Sequence, residues 1–121
     1  MSQATKLLVL PGDGIGPEVM REVVRIVRWL GEAKGLALEL TEELVGGASL
    51  AAHGVPLRPE VVALAKEADA VLFGSVGDPK WSHVSFDKRP EAAILACVRS
   101  SNSLPICAPR RFLRRWSMRP R

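Results

Sequence analysis

Several kinds of segment are missing from this 121-residue chain. No apolar run approaches the roughly 18–20 residues that a membrane helix needs. The first residues, Met1 to Lys6, are polar and lack the basic region, apolar stretch and small-residue cleavage site of a secretory leader. The expectation is a cytoplasmic protein with no membrane contact. Residues 1–96 contain no cysteine, and Cys97 and Cys107 have neither CxxC nor metal-ligand spacing. No cluster of His, Cys, Asp or Glu stands out, so no metal ligand is assigned. What remains is the composition of one small globular domain, 47% hydrophobic and 25% charged.

Acid is also missing, but only locally. Residues 97–121 hold seven arginines and no Asp or Glu. Residues 1–96 hold the other 10 of the 17 Lys and Arg against all 13 Asp and Glu, a net charge of −3. The overall +4 is therefore a property of the tail alone.

Lys6–Leu10 is a short apolar run that ends at Pro11-Gly12-Asp13-Gly14, which predicts a buried strand and a tight loop. From Ile15 to about Ala33 apolar residues recur at helical spacing: Val19, Val23, Ile26, Val27 and Leu30. Pro17 sits in the first turn, where its missing N–H costs nothing, and Glu18 suits the positive end of the helix dipole. Gly31 and Gly35 read as stop signals. Leu36–Leu44 begins with the alternation of a half-buried strand and ends before Gly46-Gly47. Ala48–His53 predicts one or two helical turns. Pro59–Ala68 predicts a helix with Val61, Val62, Leu64 and Ala65 inward. Ala70–Phe73 is a second buried strand, and Glu91–Ala96 resumes helical character after the loop from Gly77 to Pro90. Strands alternating with helices indicate an α/β fold.

The Gly12–Glu18 loop follows a strand and opens a helix, a context that suits anion binding. Its glycines fall at i, i+2 and i+4, which is not the G-x-G-x-x-G dinucleotide fingerprint, and no P-loop Lys-Ser/Thr follows. From the residues alone it is either a tight turn or a ligand loop. His53, His83, Trp29, Trp81 and the pair Glu42-Glu43 all read as ordinary: surface histidines, packing indoles and a solvated strand end.

The string LPGDGIGPE resembles the opening of the β-decarboxylating dehydrogenases, which act on isocitrate, isopropylmalate or tartrate and bind NAD(P) without a classical Rossmann domain. Gly46-Gly47-Ala48, Gly54-Val55-Pro56-Leu57 and Ala70–Gly77 are similar to further stretches of that family. Gly77-Asp78-Pro79-Lys80-Trp81, followed by Lys88-Arg89-Pro90-Glu91, resembles the cofactor-side loop of its isopropylmalate branch. Many members have a second glycine where this chain has Asp78, and an acid where it has Ser82. The resemblance implies that Gly14, Ile15, Asp78, Pro79, Lys80, Trp81 and Glu91 bind the cofactor.

Glu91, Ile94 and Leu95 lie three and four apart, on one helix face. On spacing alone, Ile94 and Leu95 read as core residues. The surrounding string instead assigns them to the substrate. Burying an isopropyl group against them is worth roughly 2–3 kcal/mol at about 0.8 kcal/mol per carbon. Burying the third carboxylate of isocitrate there, unpaired, would cost at least as much.

The family pattern stops after Ala96. Taken literally, residues 97–121 are a disordered basic tail that could meet nucleic-acid phosphates. They contain no stacking pattern or known nucleic-acid motif, and nucleic acid is not the favoured partner. Reading each codon one base earlier, the same DNA can encode LRKELELFANLRPAKVFAALVDAS, which closely resembles the family's next segment. The fixed codons of Trp116 and Met118 and the restricted ones of Cys97, Cys107 and Phe112 all permit it. The expectation is residues 1–96 in frame and residues 97–121 out of frame. The restored reading puts arginines at 98 and 108, which in the family grip substrate carboxylates; this chain has Val98 and Ala108. The resemblance implies an incomplete isocitrate/isopropylmalate dehydrogenase-like fold and a homodimer. The activity implied is NAD-dependent oxidative decarboxylation of 3-isopropylmalate to 4-methyl-2-oxopentanoate, in leucine biosynthesis, with Mg²⁺ or Mn²⁺. No catalytic residue of that reaction is assigned here, so the chain as written is expected to be inactive. The alternatives are a tartrate/malate- or isocitrate-type fragment, or a non-catalytic protein with a nucleic-acid-binding tail.

Overall fold

A computed structural model of the chain describes residues 3–101. Strand β1 (Thr5–Gly12) is followed by helix α1 (Gly16–Lys34), strand β2 (Leu38–Glu42), helices α2 (Gly47–His53) and α3 (Pro59–Glu67), strand β3 (Ala70–Ser75), two 3₁₀ turns (Pro79–Trp81 and Phe86–Lys88) and helix α4 (Pro90–Ser101). The sheet is parallel, in the order β2-β1-β3. Thr5 pairs with Leu38 and Leu7 with Ala70, so the first strand is central and the later two are its flanks. Parallel pairing requires crossovers, and the helices supply them.

Leu8 and Leu10 of β1 face a core made with Val45, with Val61 and Ala65 of α3, and with Ala93 and Cys97 of α4. Val9 points the other way and lines a groove with Met20 of α1. Helix α1 therefore covers one face of the sheet, and α3 and α4 cover the other. Among the inward residues expected of α3, Val61 and Ala65 are buried and Val62 and Leu64 half-buried.

Helix α1 departs from its expected pattern. Its buried residues are Gly16, Met20 and Gly31. Val19, Ile26 and Leu30 are 50%, 58% and 40% exposed, because no described residue lies over that face. Trp29 is 63% exposed, so its packing role does not hold among the described residues. Gly31 does not stop the helix; a Cβ there would meet the Leu38 side chain at 2.8 Å, so it lets α1 approach β2 closely. Gly35 is the stop, left-handed at φ 63°.

Two other expectations are corrected. Glu43 is not simply solvated: it is half-buried, and its Oε2 accepts from Arg58 at 2.6 Å. Helix α4 continues five residues past Ala96, so disorder does not begin at 97. Cys97 explains the continuation, since it lies one turn from Ala93 and is buried with it. The rest of the tail, residues 102–121, lies outside the described residues.

Candidate functional site

The carboxyl ends of β1 and β3 lie side by side in the sheet. From β1 the chain turns into α1 on one face, and from β3 it leads to α4 on the other. Loops that depart to opposite faces leave a crevice between adjacent strand ends, where α/β sheets bind ligands. The two glycine-containing loops singled out in the sequence are those that border this crevice.

Asp13 joins them. It is only 8% exposed. Its backbone N–H donates to Ser75 O at 2.8 Å, which continues the β1–β3 ladder by one bond. Its carboxylate accepts from three backbone N–H groups. Gly47 at the start of α2 donates to Oδ1 at 3.1 Å. Gly77 and Asp78 donate to Oδ2 at 3.3 and 3.1 Å. A buried carboxylate surrounded by N–H donors has the partners that its burial requires.

The backbone comes this close only because glycines line it. A Cβ on Gly46 would stand 2.6 Å from Asp13 Oδ1, and one on Gly47 2.7 Å from Oδ2 and closer still to Trp81 Nε1. Gly77 is constrained twice, by φ 112° and by Glu91, whose Oε1 would be 3.1 Å from an added Cβ.

The loop after β3 is held by its own contacts. Asp78 Oδ1 accepts from Lys80 N at 3.1 Å and caps the first 3₁₀ turn, which Pro79 opens. Arg89 donates to Val84 O and to Ser82 O, each at 3.0 Å, and fastens the far side. The half-buried Trp81 ring stacks on exposed His83 with centroids 6.5 Å apart, and Lys80 Nζ lies 5.3 Å from the same ring. Trp81 Nε1 is buried with no hydrogen-bond partner among the described residues.

The sequence-predicted residues therefore fall into three groups. Asp78, Pro79, Lys80, Trp81 and Glu91 come together around Gly77 and Gly47. Gly14 and Ile15 lie beside Asp13 at the turn after β1. Gly14 is left-handed at φ 61° with open space around it, and Ile15 is 68% exposed at the start of α1. Ile15 also lines a groove of about 360 Å³ between α1 and β3. The third group, Ile94 and Leu95, lies one turn beyond Glu91 on α4, 37% and 54% exposed. Ala93 and Cys97 face the core instead, so Ile94 and Leu95 are not core residues among those described. Burial raises the Cys97 thiol above its ordinary range.

Sequence reasoning missed Asp13 and Gly47. Their partners lie 34, 64 and 65 residues apart, and no local spacing carries that information. The one available signal was an acid inside a glycine turn, beside a strand end.

The chain is 75% identical over 95 residues to 3-isopropylmalate dehydrogenase of Gluconobacter oxydans, a match covering 78% of this chain and 26% of that protein. It is 55% identical over 89 residues to 3-isopropylmalate dehydrogenase of Ruegeria pomeroyi, covering 74% and 24%. The chain thus spans about a quarter of the length of the curated relatives it matches. A crystal structure of a β-decarboxylating dehydrogenase from Thermococcus kodakarensis aligns at TM-score 0.65 and 28% identity, over 81% of this chain and 27% of that one. The family model described as isocitrate/isopropylmalate dehydrogenase matches residues 6–111. The fold, the paired loops and these likenesses agree, and the chain belongs to the isocitrate/isopropylmalate dehydrogenase family.

Proposed function

We propose that residues 1–96 are the N-terminal segment of a cytoplasmic, homodimeric, NAD-dependent 3-isopropylmalate dehydrogenase, and that residues 97–121 are read one base out of frame. In that enzyme the 2-hydroxyl of 3-isopropylmalate is oxidised and the 3-carboxylate is lost. The observation that carries the choice of substrate is the exposed pair Ile94 and Leu95, one turn from Glu91, on the side of α4 turned away from the core. An apolar pair beside a carboxylate suits an isopropyl group; a third substrate carboxylate placed against Ile94 and Leu95 would find only apolar side chains in that pair.

The residues present fit one side of a dinucleotide site. Gly14 leaves its turn open, Ile15 offers an exposed apolar surface, and Trp81 Nε1 is a donor without a partner among the described residues. When bound, NAD supplies the hydride acceptor. Asp78 to Trp81 would border it, and Glu91 would hold its carboxylate on the nicotinamide side. No group of three His, Cys, Asp or Glu that could hold a metal ion comes together among the described residues, so no step through Mg²⁺ or Mn²⁺ is derived from them.

The family match reaches residue 111, beyond the boundary at 96, and only the DNA across that junction decides the frame. The test is to resequence it, add one base at the Ala96–Cys97 codons, and express the product. NADH formation with 3-isopropylmalate, at least tenfold faster than with isocitrate or tartrate, supports the reading. A faster rate with either of those acids, or no longer open frame after the added base, overturns it.

A further inference from the structure

Asp13 is a charged residue placed where nothing in the proposed reaction requires a charge. It is buried, and both carboxylate oxygens are engaged by backbone N–H groups from two other segments, 34 to 65 residues along the chain. A second observation points the same way. Gly46 and Gly47 have no room for a side chain: a Cβ would meet Val76 first at Gly46 and Trp81 first at Gly47, and an Asp13 carboxylate oxygen next at both. The α2 entrance and the Gly77-Asp78 turn thus both approach these two oxygens and both donate N–H groups to them.

We propose that Asp13 is the positioning residue of the cofactor site: its carboxylate sets the spacing between the Gly14–Ile15 turn and the Asp78–Trp81 loop. The inference rests on the proposed cofactor role of those loops. The turn continues β1 and is fixed to the end of β3, because Asp13 N–H bonds Ser75 O, and it is closed by Gly16 N–H bonding Asp13 O at 3.0 Å. The loop after β3 has no such ladder. Beyond Ser75, its backbone is joined to the β1 turn through Gly77 and Asp78 N–H to Oδ2. From there the short range is set locally: Asp78 caps the turn that carries Lys80 and Trp81, and Gly77 fits against Glu91. Moving Oδ2 would therefore move Asp78, Trp81 and Glu91 relative to Ile15.

The carboxylate cannot be replaced by its amide. Three donors meet two oxygens, and asparagine would turn an NH₂ group toward one of them, donor against donor. Asp13→Asn thus breaks either the Gly47 contact or the Gly77 and Asp78 contacts while nearly preserving shape.

Two measurements test this. The first is deuterium exchange, read by mass spectrometry on the 121-residue chain at micromolar concentration. In Asp13→Asn, peptides covering 45–50 or 76–81 should exchange at least tenfold faster, while those covering 6–10 and 70–74 stay within twofold of the parent. Unchanged protection of 45–50 and 76–81 overturns the proposal. Should all peptides speed up together, Asp78→Pro compared with Asp78→Ala decides. Both lose the side-chain cap on Lys80 N–H, and only the proline also loses the N–H donated to Asp13, at a residue whose φ of −62° already suits it. Loosening of 76–81 in the proline variant beyond that in the alanine variant supports the clamp, and none beyond it overturns it.

The second measurement is steady-state kinetics of the frame-restored enzyme. Asp13→Asn should raise KM for NAD at least tenfold, with KM for the hydroxy acid and kcat changed less than threefold. A loss confined to kcat, or equal losses for both substrates, overturns positioning of the cofactor. Should the unmutated restored enzyme fail to oxidise 3-isopropylmalate, the functional reading falls, and the exchange experiment still judges Asp13.

Discussion

The two sides of the sheet are finished to different degrees. Around Asp13 three backbone donors meet the carboxylate and glycines admit close backbone, and on the α3–α4 side Leu8, Leu10, Val61 and Ala93 are buried. Over α1, Val19, Ile26, Trp29 and Leu30 remain exposed, and a groove beside β3 is lined by Leu72 and Phe73. The first side has a closed core, with Ile94 and Leu95 of α4 left outside it. The second side has the apolar pattern of a packed helix without the partner that would bury it.

The sharpest way to separate the two sides is a pair of substitutions. Leu10→Ala should cost about 2–5 kcal/mol, because Leu10 is fully buried and leaves a cavity. Ile26→Ser, on the open face, should change stability by less than about 0.5 kcal/mol and reduce binding of an apolar dye. Urea unfolding of the 121-residue chain measures the first difference and dye fluorescence the second. Equal costs would mean that the α1 face is covered after all.

A smaller effect is expected inside the closed cluster. Gly47→Ala places a methyl against Trp81 Nε1 and Asp13 Oδ2, an overpacking worth about 1–3 kcal/mol. Gly35→Ala, where nothing stands within 4 Å, provides the control, with only the strain of φ 63° to bear. Thermal unfolding of the two variants should rank Gly47→Ala as the more damaging.

The smallest effect concerns Cys97. Burial raises its pKa, so the folded chain keeps the thiol proton at pH values where the unfolded chain loses it. Its contribution to stability is fully present below the ordinary thiol range and is lost as pH rises through the folded value. Alkylation of Cys97 at pH 8 should run at least roughly tenfold slower in the folded chain than in urea. Equal rates, mapped by peptide mass, would place Cys97 at the surface.

Much of the fold was legible because punctuation and periodicity coincide. Gly12, Gly35, Gly54 and Pro59 bound elements whose apolar runs already have the right length. Strand β2 is shorter than Leu36–Leu44 because only Leu38–Glu42 finds partners on β1, and pairing is a property of two segments. The grouping of Asp78 to Trp81 with Glu91 was legible as a string from Gly77 to Glu91, since their order is local. Asp13 was not, because its meaning lies in three N–H groups far along the chain. Helix α4 was cut short at Ala96 because the family pattern ended there, although the spacing of Ala93 and Cys97 continues the helix.

The central place of β1 also dictates an order of events during synthesis. The first strand made pairs with residues 38–42 and then with residues 70–75. At about 5–20 residues per second, β1 waits roughly 3–13 s after its own emergence before its second flank exists. Until residues 38–42 emerge, Leu8, Val9 and Leu10, later among the most deeply buried residues, are a bare apolar strand, and until residues 70–75 emerge one edge of it stays open. The nascent chain is thus most open to capture by a chaperone, or by a neighbouring nascent chain, through the segment that ends at the centre of its sheet.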